Sequence, residues 1–102
     1  MKEYKMITSK ERKILSGIGQ TIEPVFQIGK NGLTDVIVSE LDDVLEAREL
    51  IKISVLRNCD YTAKELIGEI CDALNAEPVG CVGSKIVIYR RSRRKDVKHI
   101  EI

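Results

Sequence analysis

The chain has 102 residues, of which 17 are basic and 16 acidic, so its formal net charge is +1. This length fits one domain, and the 43% hydrophobic and 32% charged residues are ordinary for a globular protein. The longest apolar run is four residues, from Ile86 to Tyr89, whereas roughly 20 are needed to span a bilayer. Composition therefore excludes collagen-like, low-complexity and disordered classes. We expect no membrane helix, no signal peptide and a cytoplasmic location.

Cysteine usage gives no indication of a metal site. Cys59, Cys71 and Cys81 are odd in number and contain no C-x-x-C pair, so neither a disulfide framework nor a zinc knuckle is indicated. Adding His99 as a fourth ligand gives no common zinc spacing. We interpret the cysteines as small apolar residues, and we expect no metal, cofactor or small-molecule substrate.

The N-terminal half predicts a helix, a strand and a second helix. Thr8 and Glu11 have the spacing of a capping box, which predicts a helix start. A run from Pro24 to Ile28 predicts a strand that ends at Gly29. After Gly32, apolar residues recur at helical spacing for about four turns. We expect the opposite face of this second helix to be solvated and acidic, with Asp35, Ser39, Asp42, Asp43 and Glu46.

The C-terminal half predicts a strand, a helix and a hairpin. Ile51, Ile53 and Val55 alternate with polar residues, which indicates a strand with one buried face. A second capping box at 62–65 predicts a third helix with an acidic outer face. The runs 78–82 and 85–91 flank a Gly-Ser pair, and this arrangement is typical of an antiparallel hairpin.

These elements predict an α/β fold of the two-layer α+β type. Their order is helix, strand, helix, strand, helix, strand, strand. A strand-helix-strand unit almost always forms a right-handed parallel crossover, whereas the final hairpin adds an antiparallel strand. We therefore expect a mixed four-stranded sheet with the helices on one face. The pattern leaves the strand order open.

The small net charge conceals an uneven distribution along the chain. Residues 1–28 carry +2, residues 29–60 and 61–83 carry −3 each, and residues 84–102 carry +5. Because the ends are basic and the middle is acidic, one part of the surface can attract a polyanion while another repels it. The first helix and the last strand with its extension are the expected electropositive elements.

A G-K-N-G loop, Gly29-Lys30-Asn31-Gly32, lies between the first strand and the best-defined helix. Glycines permit close backbone approach, and a helix start presents free N–H groups and a partial positive charge. Lys30 adds a full charge, so a sugar-phosphate backbone could lie across this loop. A plain tight turn is the alternative interpretation of these four residues.

Three runs of the sequence resemble a known family. They are PVFQIGKNGLT from Pro24 to Thr34, EARELIKISVLR from Glu46 to Arg57, and VGSKIVIYR from Val82 to Arg90. In them the chain resembles bacterial YhbY-type proteins, which consist of one CRM domain, a module named for chloroplast RNA splicing and ribosome maturation. The resemblance extends from about Thr8 to Arg91. It divides the chain into an N-terminal extension (1–7), a CRM domain (8–91) and a basic C-terminal extension (92–102).

The resemblance implies a fold similar to the C-terminal domain of translation initiation factor three. It also implies RNA binding and, for the bacterial members, association with precursors of the large ribosomal subunit. The family's G-x-x-G RNA-contact loop maps onto residues 29–32. Charge adds candidates from the first helix, the second strand's end and the last strand. The full set of candidate RNA-binding residues is Gly29, Lys30, Asn31, Gly32, Lys10, Arg12, Lys13, Arg57, Lys85, Arg90 and Arg91.

Composition limits how RNA could be bound. Phe26 and three tyrosines are scattered, which disfavours a base-stacking platform, and we expect Tyr61 and Tyr89 to fill the core or the rim of the sheet. Contacts should be mostly to phosphate and sugar of structured RNA, such as ribosomal RNA. No catalytic arrangement is recognisable, so we do not expect an enzyme. Nothing requires more than a monomer.

A different class of function remains open at this point. The chain could be a protein-protein adaptor that docks on ribosomal or other basic proteins through the acidic outer faces of the second and third helices. Charge reversal at Asp42, Asp43 and Glu46 would then abolish docking without changing RNA affinity.

Overall fold

A computed structural model describes residues 7–100 of the protein. The predicted order of elements is confirmed, and none of the helices within this range is long and apolar enough to cross a membrane. The helices and strands are α1 (Ser9–Gly19), β1 (Pro24–Ile28), α2 (Asp35–Arg48), β2 (Leu50–Val55), α3 (Ala63–Leu74), β3 (Glu77–Val82) and β4 (Lys85–Tyr89).

Both predicted capping boxes are present. At the start of α1, the Thr8 N–H donates to Glu11 Oε1 at 2.9 Å, and the Glu11 N–H donates to Thr8 Oγ1 at 3.1 Å. Thr62 and Glu65 repeat this exchange at α3, with distances of 2.8 and 3.2 Å. Helix α2 begins two residues later than the pattern after Gly32 suggested, because Thr34 is its N-cap. These side chains satisfy backbone N–H groups that have no partner inside the helix.

The four strands form one mixed sheet with the order β1-β2-β4-β3. Strands β1 and β2 are parallel and are connected through α2, as the crossover rule predicts. Strand β4 runs antiparallel to both of its neighbours, β2 and β3. The carboxyl ends of β1 and β2 therefore meet at one edge of the sheet, together with the β3–β4 turn. We call this end of the sheet, which lies along the strand direction and is distinct from the lateral edges formed by strands β1 and β3, the turn edge.

The helices occupy both faces of the sheet, so the prediction of two layers with all helices on one face is wrong. Ile51 and Ile53 of β2 pack into the main core with α2 and α3. Leu50 of β2 and Tyr89 of β4 instead join Leu15 of α1 in a second buried cluster. Since successive strand residues point to opposite faces, α1 lies alone on the other face and the domain has three layers.

The polar residues of β2 are the reason why the sequence did not predict that the sheet face under α1 is buried. Lys52 and Ser54 suggested a solvated side, yet Ser54 is buried and Leu50 packs under α1. The adjacent strand supplies Val87 and Tyr89 to the same face. The apolar stripe of α1 covers these residues, because an amphipathic helix must bury its stripe against an apolar surface.

The segment 91–100 is held against the domain by contacts with Glu46 and, chiefly, with the buried carboxylate of Glu49. Glu49, the residue between α2 and β2, is completely buried and accepts three hydrogen bonds from this segment. The Ser92 N–H donates to Oε2 at 2.7 Å, His99 Nδ1 lies 2.5 Å from the same oxygen, and the Ile100 N–H donates to Oε1 at 2.7 Å. Ile100 also packs on the second cluster. This segment is thus part of the folded domain.

The backbone conformation and the burial of Glu49 are both energetically unfavourable for a glutamate. Its φ of 67° lies in the region that favours glycine, which costs a non-glycine residue about 1–3 kcal/mol. Burial also opposes its ionisation, but hydrogen bonds from His99 and from the N–H groups of Ser92 and Ile100 outweigh this effect and hold the pKa of Glu49 below its usual range. The ionised carboxylate therefore stabilises the fold.

We expect Glu49→Gln to lower the free energy of unfolding at neutral pH by about 1–3 kcal/mol, because an amide oxygen replaces a charged acceptor. A carboxylate with a lowered pKa stabilises the fold above its usual pKa, and this stabilisation is lost as the pH falls through the folded-state value. The variant should therefore lose less stability on acidification than the natural protein. Urea unfolding over a pH series measures both effects. Equal stability of the two proteins at neutral pH would contradict the assigned role.

Candidate nucleic-acid interface

Strands β1 and β2 both end in a tight turn of the same kind. The Gly32 N–H donates to the Gly29 oxygen at 3.0 Å, so Lys30 and Asn31 occupy the centre of the first turn. The Cys59 N–H donates to the Leu56 oxygen at 3.1 Å and closes a second turn around Arg57 and Asn58. Each turn therefore presents a cation followed by an asparagine at its tip. We call them the GKNG turn (29–32) and the LRNC turn (56–59).

Parallel pairing holds the two turns side by side. The Leu56 N–H donates to the Ile28 oxygen at 2.9 Å, which extends the β1–β2 ladder to the base of the turns. A Cβ placed on Gly29 would lie 3.6 Å from Asn58 Oδ1 and 3.7 Å from Leu56 Cδ1. Adjacent strands are separated by about 4.8 Å. Both turns can therefore contact one extended ligand.

The backbone at position 32 has a conformation that glycine adopts more readily than other residues. Its φ is +64°, and a Cβ at this position would lie 3.4 Å from Cδ2 and Cε2 of the Tyr61 ring. Gly29 has no positive φ and only ordinary contacts. Glycine at position 32 therefore permits the positive φ of the GKNG turn, and Tyr61 from the segment after the LRNC turn packs against it.

Each turn is followed, after one or two intervening residues, by the N-cap of a helix. Thr34 caps α2 and Thr62 caps α3, so both helices direct the positive ends of their dipoles towards the turn edge. Among the cations near this edge, Lys30, Arg57 and Lys64 are exposed, and Lys85 opens β4 opposite Ser54. The neighbouring acids are Asp35, Asp60 and Glu65, and Glu65 is already engaged in its capping box. The local surface is suited to an anionic ligand.

The structure separates the remaining candidates from this edge. Arg12 Nε donates to the Pro78 oxygen at 3.1 Å, which places the start of α1 over the amino end of β3. β3 is the edge strand opposite β1, so Lys10, Arg12 and Lys13 lie diagonally across the sheet from the GKNG turn. Arg91 follows the end of β4, at the edge opposite the turn edge. Six of the eleven candidates are thus brought together: Gly29, Lys30, Asn31, Gly32, Arg57 and Lys85.

Arg90 is occupied by contacts within the protein. Its side chain is only 13% exposed, and its guanidinium contacts Asp42 Oδ1 and Glu46 Oε2, each at 2.8 Å. It also donates to the Leu74 oxygen at 2.9 Å, at the end of α3. Arg90 therefore joins α2, α3 and β4, and it is not available to a ligand at the turn edge.

The same contacts correct the prediction of a fully solvated acidic face on α2. Burial opposes ionisation of Glu46, but the Arg93 N–H and the charge of Arg90 together keep its pKa below its usual range. Asp43 stays exposed, whereas Asp42 and Glu46 bind Arg90. Charge reversal at Asp42 or Glu46 would damage the fold, so it cannot test docking by an adaptor.

The cysteines do not form a cluster. Cys71 is buried in α3, and burial raises the pKa of its thiol to about 12. Cys59 closes the LRNC turn and Cys81 is exposed on β3. Across residues 7–100, no group of three or more histidine, cysteine or acidic side chains is placed to hold a metal ion.

Sequence reasoning did not propose as ligand contacts Asn58 and Tyr61, which adjoin the GKNG turn, or Lys64, which lies in the first turn of α3. They follow β2, and the carboxyl ends of adjacent parallel strands form the usual ligand crevice of an α/β sheet. The predicted β1-α2-β2 crossover could therefore have indicated them. Tyr89 is buried in the core and Tyr61 lies at the rim with 54% of its surface exposed, so both positions agree with the expectation of core or rim.

The fold and the paired turns define a small α/β domain with a G-x-x-G loop between a strand and a helix. The CRS1 / YhbY (CRM) domain family matches residues 7–90. The chain therefore belongs to the CRS1 / YhbY (CRM) domain family, and the resemblance noted in the sequence is confirmed.

Individual relatives agree with this assignment. Probable RNA-binding protein YqeI of Bacillus subtilis is 35% identical over 97 residues, covering 95% of this chain and 99% of the relative. An RNA-binding protein of Haemophilus influenzae is 29% identical over 92 residues, covering 90% and 93%. The solution structure of hypothetical protein SAV1595 from Staphylococcus aureus is similar with a TM-score of 0.75 and 41% identity, covering 93% of this chain and 100% of that one.

The two glycines of the GKNG turn should respond differently to alanine. We expect Gly32→Ala to lower the free energy of unfolding by about 1 kcal/mol, because its φ is positive and the new Cβ meets Tyr61. Gly29→Ala should change stability by no more than about 0.5 kcal/mol. Thermal or urea unfolding of the two variants measures this contrast. A larger loss for Gly29→Ala than for Gly32→Ala would show that the turn has another conformation.

Alanine variants of Arg90 and of its exposed neighbour Arg91 together test whether Arg90 stabilises the fold. Arg90→Ala should lower the free energy of unfolding by about 2–3 kcal/mol, because two carboxylates and a helix-end carbonyl lose their partner. Arg91→Ala removes the same charge from an exposed position and should cost no more than about 0.5 kcal/mol. Denaturant unfolding separates the two cases. Equal stability of the variants would refute the structural assignment of Arg90.

Proposed function

We propose that the protein binds structured RNA by laying the sugar-phosphate backbone across the GKNG and LRNC turns. One observation carries the proposal: two adjacent turns each present a cation and an asparagine within a few residues of a capped helix N-terminus. Lysine and arginine neutralise phosphates, asparagine side chains can hydrogen-bond to phosphate and sugar, and helix N-termini favour anions. The relatives named as RNA-binding proteins support RNA as the anion.

The charge distribution indicates how such binding would be limited to one region. Exposed acids on α2 and α3, such as Asp43, Glu69 and Asp72, repel a polyanion. The turn edge carries four cations and the two helix N-termini. RNA would therefore contact this edge and avoid the outer faces of α2 and α3. The role is one of binding, without catalysis.

We further propose that the RNA is ribosomal and that the protein acts as a cytoplasmic monomer on precursors of the large ribosomal subunit. This finer assignment rests on the family resemblance. Sedimentation of a cell extract tests it, because the protein should travel with large-subunit precursors. Recovery only in the soluble fraction, with no RNA crosslinked to it, would contradict this assignment and favour an adaptor role.

Lys30→Ala should weaken binding to a ribosomal RNA transcript by about 3- to 10-fold at moderate salt, since one charged phosphate contact is lost. It should also reduce the slope of log affinity against log salt by about 0.7 to 0.9. Fluorescence anisotropy titrations at several salt concentrations measure both quantities. Lys30 is exposed, so the variant should keep its thermal stability.

Lys98→Ala is the matched control, because Lys98 is an exposed lysine in the segment 91–100, away from the turn edge. It lowers the net charge by the same amount and should leave the affinity and the salt slope nearly unchanged. Lys30→Arg should retain most of the binding. Equal affinity of Lys30→Ala and the natural protein would refute the proposed contact.

A further inference from the structure

Tyr61 is an exposed aromatic residue that lies against the GKNG turn. More than half of its surface (54%) is open to solvent, and it belongs to neither of the two buried clusters. Its ring atoms Cδ2 and Cε2 contact the position of a Cβ on Gly32 at 3.4 Å. Part of the ring thus packs against the GKNG turn, while more than half of the residue remains accessible.

The surroundings of Tyr61 match those of a nucleobase subsite. The residue directly precedes Thr62, the N-cap of α3, and follows the LRNC turn by two positions. A backbone held on the two turns would carry its bases past this ring. Aromatic side chains beside cationic backbone contacts are the usual means by which proteins hold unpaired bases, and stacking tolerates any base because every base has a π-face.

We propose that Tyr61 stacks on an unpaired nucleobase of RNA whose backbone is held by the GKNG and LRNC turns. The inference rests on the proposed function and narrows the ligand: the preferred RNA has a bulged, looped or terminal nucleotide beside the phosphates that the turns contact. The turns bind phosphate irrespective of sequence, whereas the ring selects RNA with an available base.

Two variants and two RNA probes test this inference. Tyr61→Leu removes the aromatic ring, and Tyr61→Phe retains it without the hydroxyl. One probe is a short RNA stem-loop with a single unpaired adenosine in its stem, and the other carries an abasic nucleotide at that site. Tyr61→Leu should weaken binding to the first probe by about 5- to 50-fold and leave binding to the abasic probe unchanged. Tyr61→Phe should bind both probes as the natural protein does.

A spectroscopic measurement separates stacking from a purely structural role. With 2-aminopurine at the unpaired site, the natural protein and Tyr61→Phe should quench its fluorescence on binding, whereas saturating Tyr61→Leu should not. Equal binding of Tyr61→Leu and the natural protein to the adenosine probe would overturn the inference. Equal loss of affinity for both probes would also overturn it, because the ring would then only support the GKNG turn.

Binding of Lys30→Ala to the same two probes distinguishes failure of the base-stacking inference from failure of the proposed function. If Lys30→Ala weakens binding to both probes while Tyr61→Leu does not weaken either, the phosphate-binding turns stand and the base subsite is refuted. If neither variant weakens binding, both proposals are refuted.

Discussion

The parallel pairing of β1 and β2 is the constraint on which the candidate site depends. It is extended by the hydrogen bond from the Leu56 N–H to the Ile28 oxygen, at 2.9 Å. Because parallel strands end at the same edge, the GKNG and LRNC turns become neighbours although 23 or more residues separate them in the sequence. The helices that follow each turn then start at the same edge and add their positive dipole ends. One ladder thus sets the position of both turns, two helix N-termini and Tyr61.

Charged side chains at the end of the sheet opposite the turn edge stabilise this arrangement, and most of them are largely buried. Arg90 connects α2, α3 and β4 through Asp42, Glu46 and the end of α3. Glu49 fixes the segment 91–100 over the α1 side of the sheet. These contacts neutralise part of the acidic middle of the sequence within the protein itself. Some of the charges that cancel in the net charge of +1 are therefore paired within the protein, and others lie on two surfaces of opposite sign.

Local chemistry predicted most of the fold. Capping boxes, helical spacing and the Gly-Ser turn gave the elements, and the crossover rule gave the parallel pair. The position of α1 could not be predicted because Lys52 and Ser54 made β2 resemble a strand with one solvated face. Arg90 was misjudged for a different reason: its partners Asp42 and Glu46 lie 48 and 44 residues away in the sequence. Charge counts by segment do not detect such pairs, and they grouped cations that the fold places at opposite edges.

Ultraviolet crosslinking of the protein to a ribosomal RNA transcript, followed by mass spectrometry of the crosslinked peptides, tests the central claim most directly. If RNA lies across the turn edge, crosslinked nucleotides will be found on residues 29–34 and 56–62. Crosslinks confined to α1 or to the segment 91–100, with none on either turn, would contradict the account.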